Sequence, residues 1–211
     1  NAPPAFPPPG VDARALPMLD GRTGQTVTWA EAVSAAASAD AVLIGELHNQ
    51  PTGQAFLAAL FEDVLKAAPT AAAALEFFER DHQAVMDDYL DGVVSPHEFR
   101  RLTGRSGGDD SPGHRAMIGL CKDNQRPVIA ANAPRRYVKL ARTDGYDRLK
   151  ELGPEQRRLY RLPDRVPEGA YRDEFFELMR SPKEEETAHE GGGEERIEAM
   201  FRAQTLWDWT M

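Results

Sequence analysis

The segment Asp40-Ala-Val-Leu-Ile-Gly-Glu-Leu-His48 decides the predicted fold. It is a short apolar run that ends in polar residues, which is typical of a parallel strand buried on both faces. Asn49-Gln50-Pro51 stops the run. From Thr52 to Ala68 the apolar residues recur at the spacing of an amphipathic helix, and Pro69 closes that segment. The sequence therefore predicts a strand, a turn and a helix in succession.

Two further segments of the chain repeat this pattern. Thr70 to Phe78 predicts a second strand, followed by a helix over 81–91 with Asp81 as its N-cap. Arg126 to Asn132 predicts a third strand, which follows a helix over 114–124 and precedes a helix that begins near Pro134. Strands that alternate with helices indicate an α/β fold, with a mainly parallel sheet flanked by helices.

The rest of the chain suggests how the domain is organised. Residues 1–26 are rich in proline and predict an extended N-terminal segment, and 27–211 predict one α/β domain that begins with a helix capped by Thr28 and Glu31. After Tyr137 the pattern is mostly helical, which predicts an additional helical cap. Residues 181–196 are acidic and glycine-rich, which is typical of a flexible linker. With only three strands predicted, we expect that the C-terminal part of the domain is missing.

Composition limits the classes of function that the chain can have. The 211 residues carry a net charge of -9, with 41% hydrophobic and 28% charged residues, which is ordinary for a globular domain. No basic excess favours nucleic acid as a partner, and no apolar run is long enough to cross a bilayer. Cys121 is the single cysteine and lies among apolar neighbours, so we predict that it is a core residue.

Polar side chains end each of the three predicted strands. Glu46 and His48 end the first, Glu76 lies at the end of the second, and Asn132 ends the third. In a parallel sheet, ligands bind outside the carboxyl ends of the strands, so we expect these four residues to meet at one polar site. Two carboxylates, an imidazole and an amide suit either a divalent metal ion, held by Glu46, His48 and Glu76, or an acid and base pair.

The start of the next helix offers a second group of binding residues. Arg135 and Arg136 lie in its first turn with Tyr137, and arginine at a helix N-terminus favours a bound carboxylate or phosphate. The alternative is that the arginines cover the surface and Tyr137 packs. Trp207 belongs to a group of aromatic residues that suits either a wall for a flat ligand or core packing. The other four histidines are weaker candidates, although His82 lies close to the Glu76 strand end. They are His82, His97, His114 and His189.

Four ordered motifs resemble the ChaN-like family of bacterial haem-binding, iron-uptake lipoproteins, which is similar to the wider Tiki and erythromycin-esterase group. The motifs are Ile-Gly-Glu-Leu-His48, Leu-Glu-Phe-Phe-Glu-Arg-Asp-His-Gln83, Ala-Asn-Ala-Pro-Arg-Arg-Tyr137 and Ala-Gln-Thr-Leu-Trp-Asp-Trp-Thr-Met211. The resemblance runs from about Val27 to the last residue. It departs from the family in two respects, since there is no N-terminal cysteine for a lipid anchor and no further strand with a Gly-x-x-His pattern.

The resemblance implies haem bound near the carboxyl ends of the strands, in a homodimer with stacked haems and a tyrosine as axial ligand. Tyr137 is the best-placed tyrosine, the arginines suit the propionates, and Trp207 suits a porphyrin face. Glu46, His48 and Glu76 match positions that form an active or metal site in the wider group. The resemblance also implies a periplasmic or outer-membrane location in a bacterium, and an outer-membrane haem or iron receptor as partner. Membrane attachment would need a lipid anchor absent from this chain.

We therefore expect a haem-binding protein of bacterial iron acquisition. The alternative from another class is a metal-dependent hydrolase. In it, Glu46 or Glu76 activates a metal-bound water, and His48 is a metal ligand or an orienting residue. A third reading is a scaffold without catalytic activity, whose buried polar residues order the loops. The sequence leaves open whether the protein is an enzyme.

Overall fold

A computed structural model of the chain describes residues 6–8, 10–105, 111–180 and 192–211. The described residues are 57% helical and include a small parallel sheet flanked by helices, which confirms the predicted α/β class. The strands and helices in chain order are β1 (Met18–Leu19), β2 (Thr26–Val27), α1 (Trp29–Ala37), α2 (Pro51–Ala67), β3 (Ala73–Glu79), α3 (Gln83–Leu90), α4 (Pro96–Leu102), α5 (Pro112–Asp123), β4 (Val128–Asn132), α6 (Arg135–Lys150), α7 (Pro154–Arg157), α8 (Ala170–Met179) and α9 (Gly192–Thr210). Short 3-10 turns lie at Ala13–Ala15 and Arg80–His82.

Two of the three predicted strands are present. β3 and β4 pair in a two-stranded parallel sheet, within the bounds predicted for the second and third strands to two or three residues. Buried and open positions alternate along most of β3, so one face of the strand carries its apolar residues.

The strand predicted over 40–48 is wrong for the described structure. Residues 41–47 belong to no helix or strand, and their apolar side chains face solvent, with Leu43 97% exposed and Leu47 78% exposed. A strand requires a neighbour that pairs with its N–H and C=O groups, and no described segment pairs with this one as a strand. The apolar pattern predicts a strand buried on both faces, but the described structure shows neither the burial nor the pairing.

The first 26 residues are not extended throughout, which corrects that prediction. β1 and β2 form an antiparallel hairpin, with Met18 opposite Val27. The turn before it is tied to α2, because the Arg14 side chain contacts Asp63 at 2.7 Å and Glu62 at 2.9 Å. Proline density in this region therefore coexists with local structure that a composition argument does not detect.

The chain falls into two compact units, Asn1–Ala74 with Val85–Val128 and Leu75–Ala84 with Ile129–Met211. In the first unit, α2 packs against α1, α5 and the Ala13–Ala15 turn. The capping box predicted for α1 is confirmed, since Thr28 accepts from the Glu31 N–H and the Glu31 carboxylate accepts from the Thr28 N–H. Cys121 is fully buried, as predicted.

In the second unit, α9 packs against α6 and α8. One apolar cluster joins α6 to α9 and includes Tyr137, Tyr160 and Leu206, and another joins α8 to α9 around Phe201. The helices predicted after Tyr137 are thus present. Residues 181–191 of the predicted linker lie outside the described residues, whereas 192–196 are helical and correct that boundary. No described helix is long and apolar enough to span a bilayer.

Candidate functional site

Glu46 lies between two histidines in the first unit. Its Oε2 is 2.7 Å from Nε2 of His114, and its Oε1 is 3.4 Å from Nδ1 of His48. The Glu46 and His114 side chains are 11% and 10% exposed, whereas His48 is 56% exposed. Because a carboxylate only accepts hydrogen bonds, the ring nitrogens that face Glu46 are the protonated ones. Glu46 therefore orients both rings, and the shorter and better buried contact is the one to His114.

The start of α5 places His114. Ser111 caps the helix by accepting from the His114 N–H, and Pro112 occupies the first helical position. Gly113 is packed against α2 so closely that a Cβ there would lie 2.8 Å from Cβ of Gln54 and 2.9 Å from its carbonyl oxygen. Since only glycine fits this contact, the helix start is fixed against α2 and His114 is held at a set distance from the Glu46 segment.

His114 was missed as a member of this site. The sequence places it beside a loop-forming stretch, and 106–110 of that stretch lie outside the described residues. Its partner Glu46 is 68 residues away, so no local spacing connects them. The one signal in the sequence was the Ser-Pro-Gly-His order, in which an N-cap, a first-turn proline and a glycine announce a helix start that is packed tightly.

Glu76 and Asn132 lie in the second unit, and Asn132 ends β4 as predicted, whereas Glu76 lies in the middle of β3, which continues to Glu79. Glu76 is exposed, and Asn132 is half-buried with its Oδ1 accepting from the Ala133 N–H at 2.8 Å. The structure brings Glu46 and His48 together as predicted. The expected meeting of both with Glu76 and Asn132 stays a prediction.

The first turn of α6 carries the predicted basic pair. Arg135 is 74% exposed and lies 3.6 Å from Glu79, and Arg136 is 51% exposed and forms an ion pair with Asp81. Asp81 was predicted to cap a helix, but it lies inside a 3-10 turn and binds Arg136 instead. Both guanidinium groups are thus at the surface, where exposed ion pairs contribute little and exchange readily for a bound anion.

Tyr137 is packed in the core of the second unit. It is 6% exposed, its ring centroid lies 4.9 Å from that of Tyr160, and the Arg136 guanidinium lies over its ring. Of the two readings that the sequence left open for this residue, packing is the one that these contacts describe. Its role as a haem ligand stays a prediction.

Three other tyrosines of this unit are poor phenolate donors. Burial raises the pKa of Tyr146 to about 12, and burial also raises the pKa of Tyr160. Tyr171 donates to the Asp208 carboxylate, and burial together with that contact raises the pKa of Tyr171 well above its usual range. Ligation of ferric iron by tyrosine uses the deprotonated oxygen, so these shifts oppose it.

Trp207 packs at the edge of the α6 and α9 cluster. The residue is half-buried, and its indole N–H is buried with no hydrogen-bond partner among the described residues. Of the two uses that the sequence left open, its contacts describe core packing, while a porphyrin-facing role stays a prediction.

Comparison with known proteins decides the family. The sequence profile of the family described as haem-binding uptake, Tiki superfamily, ChaN matches residues 32–211. The chain belongs to this family. The membership predicted from four motifs is therefore confirmed, and haem binding is the property that describes the ChaN family.

A solved structure of the ChaN family is also similar to this chain. It is the ChaN protein of Campylobacter jejuni, in a structure titled for cofacial haem binding, with a TM-score of 0.66 and 14% sequence identity. The likeness covers 91% of this chain and 71% of that one. At this identity it shows the fold alone. No curated protein sequence matches the chain.

Proposed function

We propose that this ChaN family member binds haem in bacterial iron acquisition, with His48 as the protein ligand to the iron. The observation that carries the proposal is the Glu46 to His48 contact of 3.4 Å, on an imidazole that is 56% exposed in a chain of a haem-binding family. A carboxylate at one ring nitrogen fixes the tautomer and makes the other nitrogen a better metal ligand.

The surroundings of His48 fit a porphyrin. Leu47 is 78% exposed and Leu43 is 97% exposed, so apolar side chains lie in solvent on the segment that carries the imidazole. A porphyrin face would remove such surface from water, which contributes about 25 cal/mol for each Å² buried. Haem supplies a Lewis-acidic iron and a flat apolar ring, and the residues present here match both.

A second part of the proposal concerns the α6 N-terminus. Arg135 and Arg136 are exposed guanidinium groups at the start of a helix, an arrangement that favours carboxylates such as haem propionates. Asn132, Glu76 and Trp207 remain in the proposal as further contacts on this unit. We expect them to contribute less than the arginines, because none of them supplies positive charge.

The cellular setting is part of the same proposal. We infer an extracytoplasmic location in a bacterium, with an outer-membrane haem receptor as the partner that gives or takes the haem. The Campylobacter relative is described with cofacial haems, and this supports a homodimer that stacks two haems here. Analytical ultracentrifugation with and without haemin tests the proposed homodimer, and a monomer in both conditions contradicts it.

The experiment that tests the function is a haemin titration followed by the Soret band. We expect a shifted band that saturates at one haem per chain in the wild type, and a blue-shifted, weaker complex in His48→Ala. His97→Ala is the matched control, because His97 is an exposed histidine of α4 outside the site. It is expected to titrate like the wild type.

Each other outcome has a definite meaning. A folded wild-type chain with no Soret shift overturns haem binding. A His48→Ala variant that titrates normally, together with a Tyr137→Phe variant that does not, moves the iron ligand to Tyr137. Circular dichroism of each variant is recorded first, because Tyr137 lies in the core and its substitution tests stability as well.

A further inference from the structure

A group of three metal-ligating side chains lies in the second unit, apart from the residues assigned above. One carboxylate oxygen of Glu79, one of Asp81 and one ring nitrogen of His82 all lie within 4.8 Å of one another. A first-row metal ion with bonds of about 2.0–2.2 Å fits among three ligands at such distances after small side-chain rotations. The group is therefore close to the geometry of a metal site.

The backbone explains why these three residues converge. Glu79 is the last residue of β3, and the chain then makes the 3-10 turn Arg80–His82. Residues three positions apart on such a turn lie above one another, which brings Glu79 and His82 to the same side. Asp81 lies between them in sequence and closes the group.

Contacts on both sides hold the turn in place. The Arg80 guanidinium donates to the carbonyl of Thr210 in α9, and the Gln83 side chain accepts from the Ala130 N–H of β4 at 2.8 Å. The ligand-bearing turn is thus tied to a helix and to the sheet. Rigid support of this kind lowers the cost of assembling a metal site.

His82 provides an observation that the carboxylates do not. Its Nδ1 is buried and has no hydrogen-bond partner among the described residues. A buried polar atom left without a partner carries a free-energy cost, and a bound ion is one of the few explanations for such an atom. A metal ion bound at this nitrogen removes the cost.

We propose that Glu79, Asp81 and His82 bind a divalent first-row transition-metal ion, with Nδ1 of His82 as the imidazole ligand and water completing the coordination. An imidazole with two carboxylates favours Zn²⁺ or Fe²⁺ over Mg²⁺ or Ca²⁺, which prefer oxygen ligands alone. Asp81 is exposed, so the ion has an open path from solvent.

The arginines of α6 set the strength of the site. Arg135 and Arg136 pair with Glu79 and Asp81, so a metal ion competes with a guanidinium for each carboxylate. The Arg135 pair is long at 3.6 Å and is highly exposed, and such pairs are displaced at little cost. Removal of Arg136 should therefore strengthen metal binding, which a purely structural Asp81 to Arg136 pair does not predict.

The test is Zn²⁺ binding to the untagged full chain without haem, measured by isothermal titration calorimetry. Since loss of an outer partner of a metal ligand alone weakens binding about ten- to a hundredfold, Glu79→Gln and His82→Gln should each weaken Zn²⁺ by at least about tenfold. Arg136→Gln should tighten it. Glu98→Gln and His97→Ala, both exposed in α4, are the matched controls and should bind like the wild type.

Further measurements keep the result unambiguous. Co²⁺ absorption reports the ligand set directly, and His82→Gln should lose the bands that the wild type shows. Binding that is lost in His48→Ala but kept in His82→Gln overturns the proposal by placing the ion at Glu46 and His48. Equal affinity in wild type, Glu79→Gln and His82→Gln overturns it as well. Thermal melts confirm that each variant is folded. If His82→Gln does not fold, the Zn²⁺ affinity of Glu79→Gln decides the test.

Discussion

Nε2 of His114 lies 2.7 Å from Oε2 of Glu46, although 68 residues separate the two in sequence. Both side chains are nearly buried. If one of them were removed, the other would lose its hydrogen-bond partner in a place that water reaches poorly. This contact ties the exposed segment that carries His48 to the first turn of α5. It makes His114 a positioning residue for the proposed haem ligand.

His114→Ala should therefore destabilise the fold and disturb haem binding together. Loss of one hydrogen bond to a charged group costs about 1.5–3 kcal/mol in the free energy of unfolding. Urea unfolding followed by circular dichroism measures this, and haemin titration of the folded variant should show a weaker complex. His97→Ala should change neither quantity. A His114→Ala variant as stable as the wild type would show that the Glu46 contact is not formed in solution.

The stability of the first unit should fall in acid through Asp63. Hydrogen bonds from the Arg14 guanidinium hold the pKa of the Asp63 carboxyl well below its usual range, and the Trp29 indole also donates to it at 3.0 Å. A carboxyl group whose pKa is depressed in the folded state stabilises the fold at pH values above its unfolded pKa of about 3.9. This stabilisation is lost as the pH falls toward the folded pKa. Because Arg14 is 41% exposed, solvent screening limits the contribution to about 1–2 kcal/mol.

Asp63→Asn tests this contribution. The difference in unfolding free energy between wild type and variant should be constant above about pH 5 and shrink below about pH 4. Urea titrations at several pH values, with tryptophan fluorescence as the readout, give the comparison. Asp147→Asn is the control, since the Asp147 side chain pairs with Lys150 but is 91% exposed. A difference that persists unchanged at pH 2 contradicts the assignment.

Two glycines of α5 should respond to alanine in opposite directions. A Cβ at Gly113 would meet Gln54 at 2.8 Å, whereas a Cβ at Gly119 meets nothing within 4 Å. Gly113→Ala should destabilise by about 1–3 kcal/mol through overpacking, and Gly119→Ala should stabilise by about 0.5–1 kcal/mol because alanine is the better helix former. Thermal melts of the pair measure both. Equal effects of the two substitutions would contradict the close contact between α2 and α5.

Cys121 should be unreactive in the folded protein. The residue is fully buried, and burial raises the pKa of its thiol, so little thiolate is present or accessible at neutral pH. A disulfide-exchange reagent should label it slowly in buffer and at once in denaturant. Rapid labelling in buffer would show that α5 opens locally.

Features that depend on neighbouring residues were predicted well. Thr28 and Glu31 form their capping box within one turn, and Pro134 marks a helix start that the structure also has. The apolar runs that became β3 and β4 were recognised because buried strands need them. The same reasoning identified Glu46 and His48 as neighbours, because residues two apart in extended chain project to one side.

Features that depend on distant residues were not predicted. His114 and Glu46 are brought together by the packing of α5 on α2, which no periodicity encodes. The run over 41–47 has the composition of a buried strand, yet pairing depends on a partner that the run itself does not specify. Asp81 was predicted to cap a helix but lies in the turn at Arg80–His82, and its partner Arg136 comes from another part of the chain.

The open segment around Leu43 has a practical consequence for all of these measurements. Exposed aliphatic side chains form a surface through which copies of a protein associate, and association of this kind grows with concentration. Stacking of haems between two chains would grow with concentration as well. Titrations repeated over a tenfold dilution series will separate the two, because only stacking follows the amount of haem added.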